Sequence, residues 1–225
     1  MMECLKKALD DYFHNLGEYI FRMLVAHGVI TAAFVVAFIL GTMGLIVMGE
    51  ILFFLLPEGL GEMVLLMLII GLMVILALLV IVMPAPLWKY WVLLKKDIEE
   101  AFKSLNWRSA LRLIMGNVLL GGIIVTLWIG AGLMGGVYSF LGLIMGMGGL
   151  LLMMVVIAPL VYLWLYYDEL RLGEILKKGL KFLLKRPLDS FLLVLVTLIN
   201  KSLFGLLIPL HLLTIKKFEE GECNV

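Results

Sequence analysis

LIMGNVLLGGIIVTLWIGAGLMGGVYSFLGLIMGMGGLLLMMVVIAPLVYLWLYY, residues 113–167, contains no Asp, Glu, Lys or Arg. A membrane-spanning helix needs about 20 apolar residues. The run is therefore long enough for two crossings and a turn, placed at Gly135-Gly136-Val137-Tyr138-Ser139. Membrane strands would be short and would alternate apolar with polar residues, and this run does not. The rest of the chain agrees: it is 64% hydrophobic and 16% charged, where soluble domains are about 45–50% apolar and about 25% charged. The fold class is an all-α polytopic membrane protein, a single integral membrane domain over residues 1–225 with no separate soluble domain.

Outward from that run, apolar segments predict spans at 20–48, 63–87, 110–134 and 141–166. Glu50, Pro57, Glu58, Gly59 and Gly61 mark the first connecting loop. Pro84 and Pro86 are expected to kink or end the second span, since proline removes a ladder hydrogen bond. Trp88-Lys89-Tyr90-Trp91 and the group Tyr162, Trp164, Tyr166 and Tyr167 are amphipathic aromatics of the kind found at headgroup level. Two readings stay open for 188–215, which Asn200-Lys201-Ser202 interrupts. A single tilted span gives five clear transmembrane helices. A broken hairpin adds a short sixth, with each arm only about 20 Å long against a core of about 30 Å.

Between the spans lie three amphipathic helices that share a pattern of apolar, charged, charged, small, apolar: Leu5-Lys6-Lys7-Ala8-Leu9, Ile98-Glu99-Glu100-Ala101-Phe102 and Leu176-Lys177-Lys178-Gly179-Leu180. Breaks follow at His14-Asn15-Leu16-Gly17, Asn106-Trp107-Arg108 and Lys185-Arg186-Pro187. A second marker recurs: Ala85-Pro86-Leu87 with Trp91, Ala158-Pro159-Leu160 with Trp164, and more weakly Ile208-Pro209-Leu210. Self-similarity of this sort defines units, here about 2–94, 95–167 and 168–217 in a degenerate internal repeat. In the first helix Leu5, Leu9, Tyr12 and Leu16 share a face. In the third, Leu172, Leu176, Leu180 and Leu183 oppose Lys177, Lys178, Lys181 and Lys185. Such helices lie in the headgroup plane with the apolar side down.

Lys and Arg set the orientation. They gather before the first span, between the second and third, and after the fourth, while the loops at 49–62 and 135–141 have none. Basic flanks stay in the cytoplasm. This predicts a multi-pass plasma-membrane protein with a cytoplasmic N-terminus and all three amphipathic helices on the cytoplasmic leaflet. Lys216, Lys217 and the Ile208-Pro209-Leu210 marker lean toward the hairpin. The net charge of +1 gives no reason to expect nucleic acid. Cys4 and Cys223 show no pairing pattern, so no disulfide framework is expected.

Chemistry-bearing residues are sparse. His27, Asn117 and Lys201 are the intramembrane polar candidates, since polar groups within spans are expensive and often functional. Lys177, Lys178, Lys181, Lys185 and Arg186 are candidates for anionic headgroup binding, each juxtamembrane cation gaining about 1 kcal/mol near anionic lipid. Asp10, His14 and Glu18 share a helix face, but an exposed one; no metal site, cofactor or catalytic residue is expected. No nucleotide, metalloprotease or serine-hydrolase motif occurs.

The order of amphipathic helix, break and paired spans, closed by Ala158-Pro159-Leu160 with Trp164, resembles uncharacterised archaeal and bacterial multi-spanning membrane proteins. These are similar to the membrane domain of some glycerophosphodiester phosphodiesterases. The resemblance covers most of 95–190 and implies a six-helix plan, shortened here at its end. No catalytic residue carries over, because the hydrolase domain of those enzymes is absent from these residues. The expected function is non-enzymatic: binding or organising membrane lipid through anionic headgroups, or supporting a membrane partner. The alternative is a small transporter or channel subunit working as a homo-oligomer.

Overall fold

The computed structural model describes residues 3–57, 59–135, 139–203 and 205–223. Within these it describes the side chains of all but 54, 124, 125, 127–135, 139–147, 150, 201 and 202. The described residues are helical and include no strand. In chain order they form α1 (Glu3–His14), α2 (Leu16–Leu55), α3 (Leu60–Val82), the single turn α4 (Pro84–Pro86), a π-helical segment (Leu87–Leu93), α5 (Ile98–Lys103), α6 (Trp107–Gly135), α7 (Ser139–Tyr166), α8 (Leu172–Lys185), α9 (Pro187–Ser202) and α10 (Ile208–Glu219).

Each expected break is present and has a local cause. Asn15, between α1 and α2, turns its amide back onto the Asp11 carbonyl and carboxylate. Asn106 precedes α6 and accepts the Ser109 N–H at 2.9 Å, a side-chain cap on an otherwise unsatisfied helix donor. Pro187 opens α9 at the first helical position, where its missing N–H costs nothing. The α2–α3 loop turns at Gly59, whose φ of +87° favours a residue without Cβ. Glu58 and residues 136–138 of the second expected turn lie outside the described residues.

Two helices are long and apolar enough to cross a membrane among the described residues: Leu16–Phe53, and Leu60–Leu93 running through the prolines. Pro84 and Pro86 do not end the helix. The ladder instead widens beyond them into the π segment, where Leu94 N–H reaches the Lys89 carbonyl five residues back. π turns absorb such interruptions. Lys95, with φ of 55°, then stops it. At 40 residues, α2 is about 60 Å long, about twice the apolar thickness of a bilayer. Its first half packs through Tyr19, Met23 and Ala26, whereas Phe34, Phe38, Leu40, Met43 and Ile46 beyond are uncovered.

The core is built on the second half of α7. Val156, Ile157, Ala158, Val161, Tyr162, Leu163 and Leu165 are buried, with α6, α8, α9, α10 and the π segment packed around them. α8 folds back antiparallel along α7. A Cβ at Gly179 would sit 2.5 Å from the Pro159 nitrogen, so the two backbones nearly touch. Pro159 has no N–H to donate within α7, and Gly179 lies against it.

This rotates the expected face of α8. Its fully buried stripe is Ile175, Gly179 and Phe182; Leu172, Leu176 and Leu183 are partly buried beside it, while Leu180, with Leu184, points outward. The backbone approach that only glycine permits sets the centre of the face. All three pattern helices pack on protein, and in each the small residue, Ala8, Ala101 or Gly179, is buried. Their partners are the elements bearing the proline markers: α5 on the π segment, α8 on α7, and α1 on α10.

The stretch 188–215 is broken. α9 and α10 pack side by side, linked where Thr197 Oγ1 meets His211 Nε2 at 2.9 Å. Asn200 Oδ1 accepts the Leu207 N–H at 2.8 Å across the turn, and Gly205 takes φ of +84°. From Ile208 to Ile215 every residue of α10 is buried. The absence of a disulfide framework is overturned: Cys4 and Cys223 are bonded, with S–S 2.06 Å. The sequence separation of 219 concealed the pair, which folding brings together by laying α10 against α1.

Candidate functional site

The α8 candidates fall into two groups. Lys177, Lys181 and Lys185 are exposed and recur at i, i+4 and i+8; Lys181 lies near enough to Glu219 to help hold its carboxylate ionised. Beside them runs a second exposed stripe, Leu180 and Leu184, the latter 81% exposed. Lys178 and Arg186 are engaged. The Lys178 ammonium pairs with Glu219 at the end of α10, and Arg186 donates to the Cys223 carbonyl at 2.8 Å. The Glu219 carboxylate also accepts from Tyr162 at 2.7 Å. Burial works to raise its pKa, but the Lys178 and Tyr162 hydrogen bonds outweigh it and hold it below the ordinary value.

Uncovered aromatic and apolar side chains recur close to the breaks that follow the three pattern helices: Phe13 at 63% exposure, Trp107 at 75%, and Leu184. Trp107 opens α6, while Phe13 and Leu184 lie in the last turns of α1 and α8, just before α2 and α9. Trp and Phe at such positions suit a membrane–water boundary.

The intramembrane candidates are not gathered into one site. Asn117 is spent: its amide donates to Leu113 O at 2.8 Å and its carbonyl accepts from Trp164 Nε1 at 3.2 Å. His27 Nδ1 lies 2.7 Å from Met23 O, an acceptor, so the ring proton sits there and Nε2 is left as an acceptor beside Gly205. The side chain of Lys201 lies outside the described residues.

Sequence reasoning passed over a polar cluster at the mouth of the core. Lys89 was read as part of an aromatic belt, yet it is only 5% exposed. Its ammonium reaches Asp168 and Glu169, both at 2.7 Å, and sits near the rings of Tyr90, Tyr166 and Tyr167. Tyr90 donates to the other Asp168 oxygen at 2.6 Å. Burial pushes the Tyr167 hydroxyl above its ordinary range, despite its Ser104 partner. Arg112 donates to the Tyr167 and Leu170 carbonyls, both at 3.0 Å, and closes the end of α7. The available signal was the sequence Asp168-Glu169 directly after an uncharged run, which needed a cation nearby. With Lys89 shared by two carboxylates and Arg112 held by carbonyls, the cluster is a clamp that joins the π segment, α6 and the end of α7. Among the described residues, no three His, Cys, Asp or Glu side chains converge as metal ligands.

A cavity of about 410 Å³ lies between α7, α9 and α10, lined by Met153, Ile157, Val161, Leu198 and Ile208 with Thr197, Asn200 and His211. No family model, curated protein or solved structure matches the chain.

Proposed function

We propose that this chain is a non-enzymatic multi-pass membrane protein that holds anionic lipid against one bilayer face. The observation that supports it is the pairing on α8 of an exposed basic stripe, Lys177, Lys181 and Lys185, with an exposed apolar stripe, Leu180 and Leu184. A soluble surface would have little use for the leucines, and a protein contact would bury them. At headgroup depth both stripes are satisfied, the leucines by acyl chains and the ammonium groups by phosphate.

On this reading α2, α3, α6 and α7 span the bilayer, and α9 with α10 forms the short closing hairpin of a six-helix plan like that of the resembling family. The three units repeat as pairs of a small-residue helix and a proline-marked element. The face with α1, α5 and α8 lies in the cytoplasm, as its basic residues demand. A transporter would need polar lining at mid-depth. Asn117 has its hydrogen bonds within the protein, and Thr126 bonds to Gly122 of its own helix.

The test is the lipid that copurifies with the protein, read by mass spectrometry after mild solubilisation. The wild-type chain is expected to retain anionic over zwitterionic lipid. Replacing Lys177, Lys181 and Lys185 together by Gln should lower that enrichment by at least tenfold, given about 1 kcal/mol per cation. Unchanged enrichment in the triple variant would overturn the assignment.

A further inference from the structure

We infer that the cavity between α7, α9 and α10 binds an uncharged amphiphile: one apolar tail with a compact oxygen head, hydroxyl or carbonyl. The inference rests on the membrane placement proposed above, which puts the exposed residues of α9, Leu195 and Ile199, in lipid.

Size comes first. About 410 Å³ is within the range of small-molecule sites, roughly 300–1,000 Å³, and at the low end of it, which favours one chain over two. Charge comes next. Among the described lining residues there is no Asp, Glu, Lys or Arg. An uncharged head fits this lining best, since a charged one would be desolvated there without a counter-ion.

Hydrogen bonding then selects the head. Thr197 and His211 hold each other, and the His211 ring nitrogens also face the Leu207 and Leu193 carbonyls. The indole N–H of Trp164 is given to Asn117. Asn200 differs. Its Oδ1 is used by the Leu207 N–H, but its Nδ2 donates to nothing among the described residues. This half-buried amide lines an apolar cavity, where an acceptor is favoured. A hydroxyl or a carbonyl oxygen satisfies it.

The experiment uses the purified full chain and a long-chain primary alcohol with a diazirine near its methyl end, with adducts mapped by mass spectrometry. Adducts are expected on α7 and α9, at Met153, Ile157 or Leu198. Oleyl alcohol and methyl oleate should compete, and oleate should compete at least tenfold more weakly. Asn200→Leu should weaken labelling by about tenfold, the size of one lost hydrogen bond. Ile157→Trp should fill the cavity and abolish labelling; if that variant does not fold, Leu198→Trp at the half-buried rim replaces it. Equal competition by oleate, adducts confined to α2 and α3, or unchanged labelling of Asn200→Leu would overturn the inference. Cavity labelling that persists in the α8 triple Gln variant supports the site whatever becomes of the surface role, so the two readings fail separately.

Discussion

Gly179 and Lys89 show how much of this protein hangs on single side chains. At Gly179 the nearest atoms to an added Cβ are Pro159 N at 2.5 Å and Pro159 Cα at 2.6 Å. These are backbone atoms that cannot rotate away. Gly179→Ala therefore forces α8 off α7 and should cost about 1–3 kcal/mol, the range for overpacking a core. The alanine's better helix propensity returns up to about 1 kcal/mol, so the net loss should still lower the thermal midpoint in detergent. Gly173→Ala, where no atom lies within 4 Å, should be neutral or stabilising in the same assay. Lys89 makes the opposite case, a charge that must stay. Removing one partner of a buried pair costs about 3–5 kcal/mol because the other is left uncompensated. Lys89→Met strands Asp168, which is 13% exposed, whereas Glu169→Gln affects a carboxylate that is 57% exposed. Thermal denaturation of the two variants should show a large loss for Lys89→Met and little for Glu169→Gln. Equal losses would mean that the clamp depends on Glu169 more than its exposure allows.

The helices themselves were easier to read than what they touch. The breaks at Asn15, Asn106 and Pro187 announce themselves through residues that cap or interrupt locally, so sequence alone located them. The continuity of 60–93 was hidden, because proline signals an end and nothing local reveals a π segment that carries the helix past it. The buried stripe of α8 was hidden for another reason. Periodicity finds apolar faces, but backbone contact at Gly179 outweighs an apolar face, and it depends on Pro159 twenty residues earlier. The lining of the candidate cavity was partly legible, since Asn200 interrupts an apolar run, while Met153 and Ile157 of α7 join it only through tertiary packing.

One pH prediction belongs to the junction of α8 and α10. Glu219 is held below the ordinary carboxylate pKa by Lys178 and Tyr162, against the pull of burial. A carboxylate whose folded pKa is lowered stabilises the fold above its unfolded value, and that contribution fades as pH falls through the folded one. Acidification below about pH 4.5 should therefore loosen α10 from α8. Hydrogen exchange of α10 should rise there in the wild type, and Glu219→Gln should already show raised exchange at neutral pH with little further change on acidification.

For the molecule as a whole, the disulfide and the basic residues make separate claims about one face. Cys4 and Cys223 join the two ends of the described chain, so α1 and α10 are held together and the third of the small-residue pairs is closed covalently. Removing a native disulfide commonly costs about 2–5 kcal/mol, and Cys4→Ser with Cys223→Ser should lower the thermal midpoint accordingly. The same bond carries compartment information. Disulfides are rare in the cytosol of most cells, although interiors of hyperthermophilic prokaryotes sustain them. On the orientation proposed above, this face lies in the cytoplasm, which a disulfide tolerates only in a cell of that second kind. An impermeant maleimide decides between the two claims. After reduction with a permeant thiol-free reductant, both cysteines should be labelled in inverted vesicles and protected in intact cells. Labelling in intact cells would turn the protein over, making the disulfide the better guide to its compartment and placing the α8 lysines against the outer leaflet.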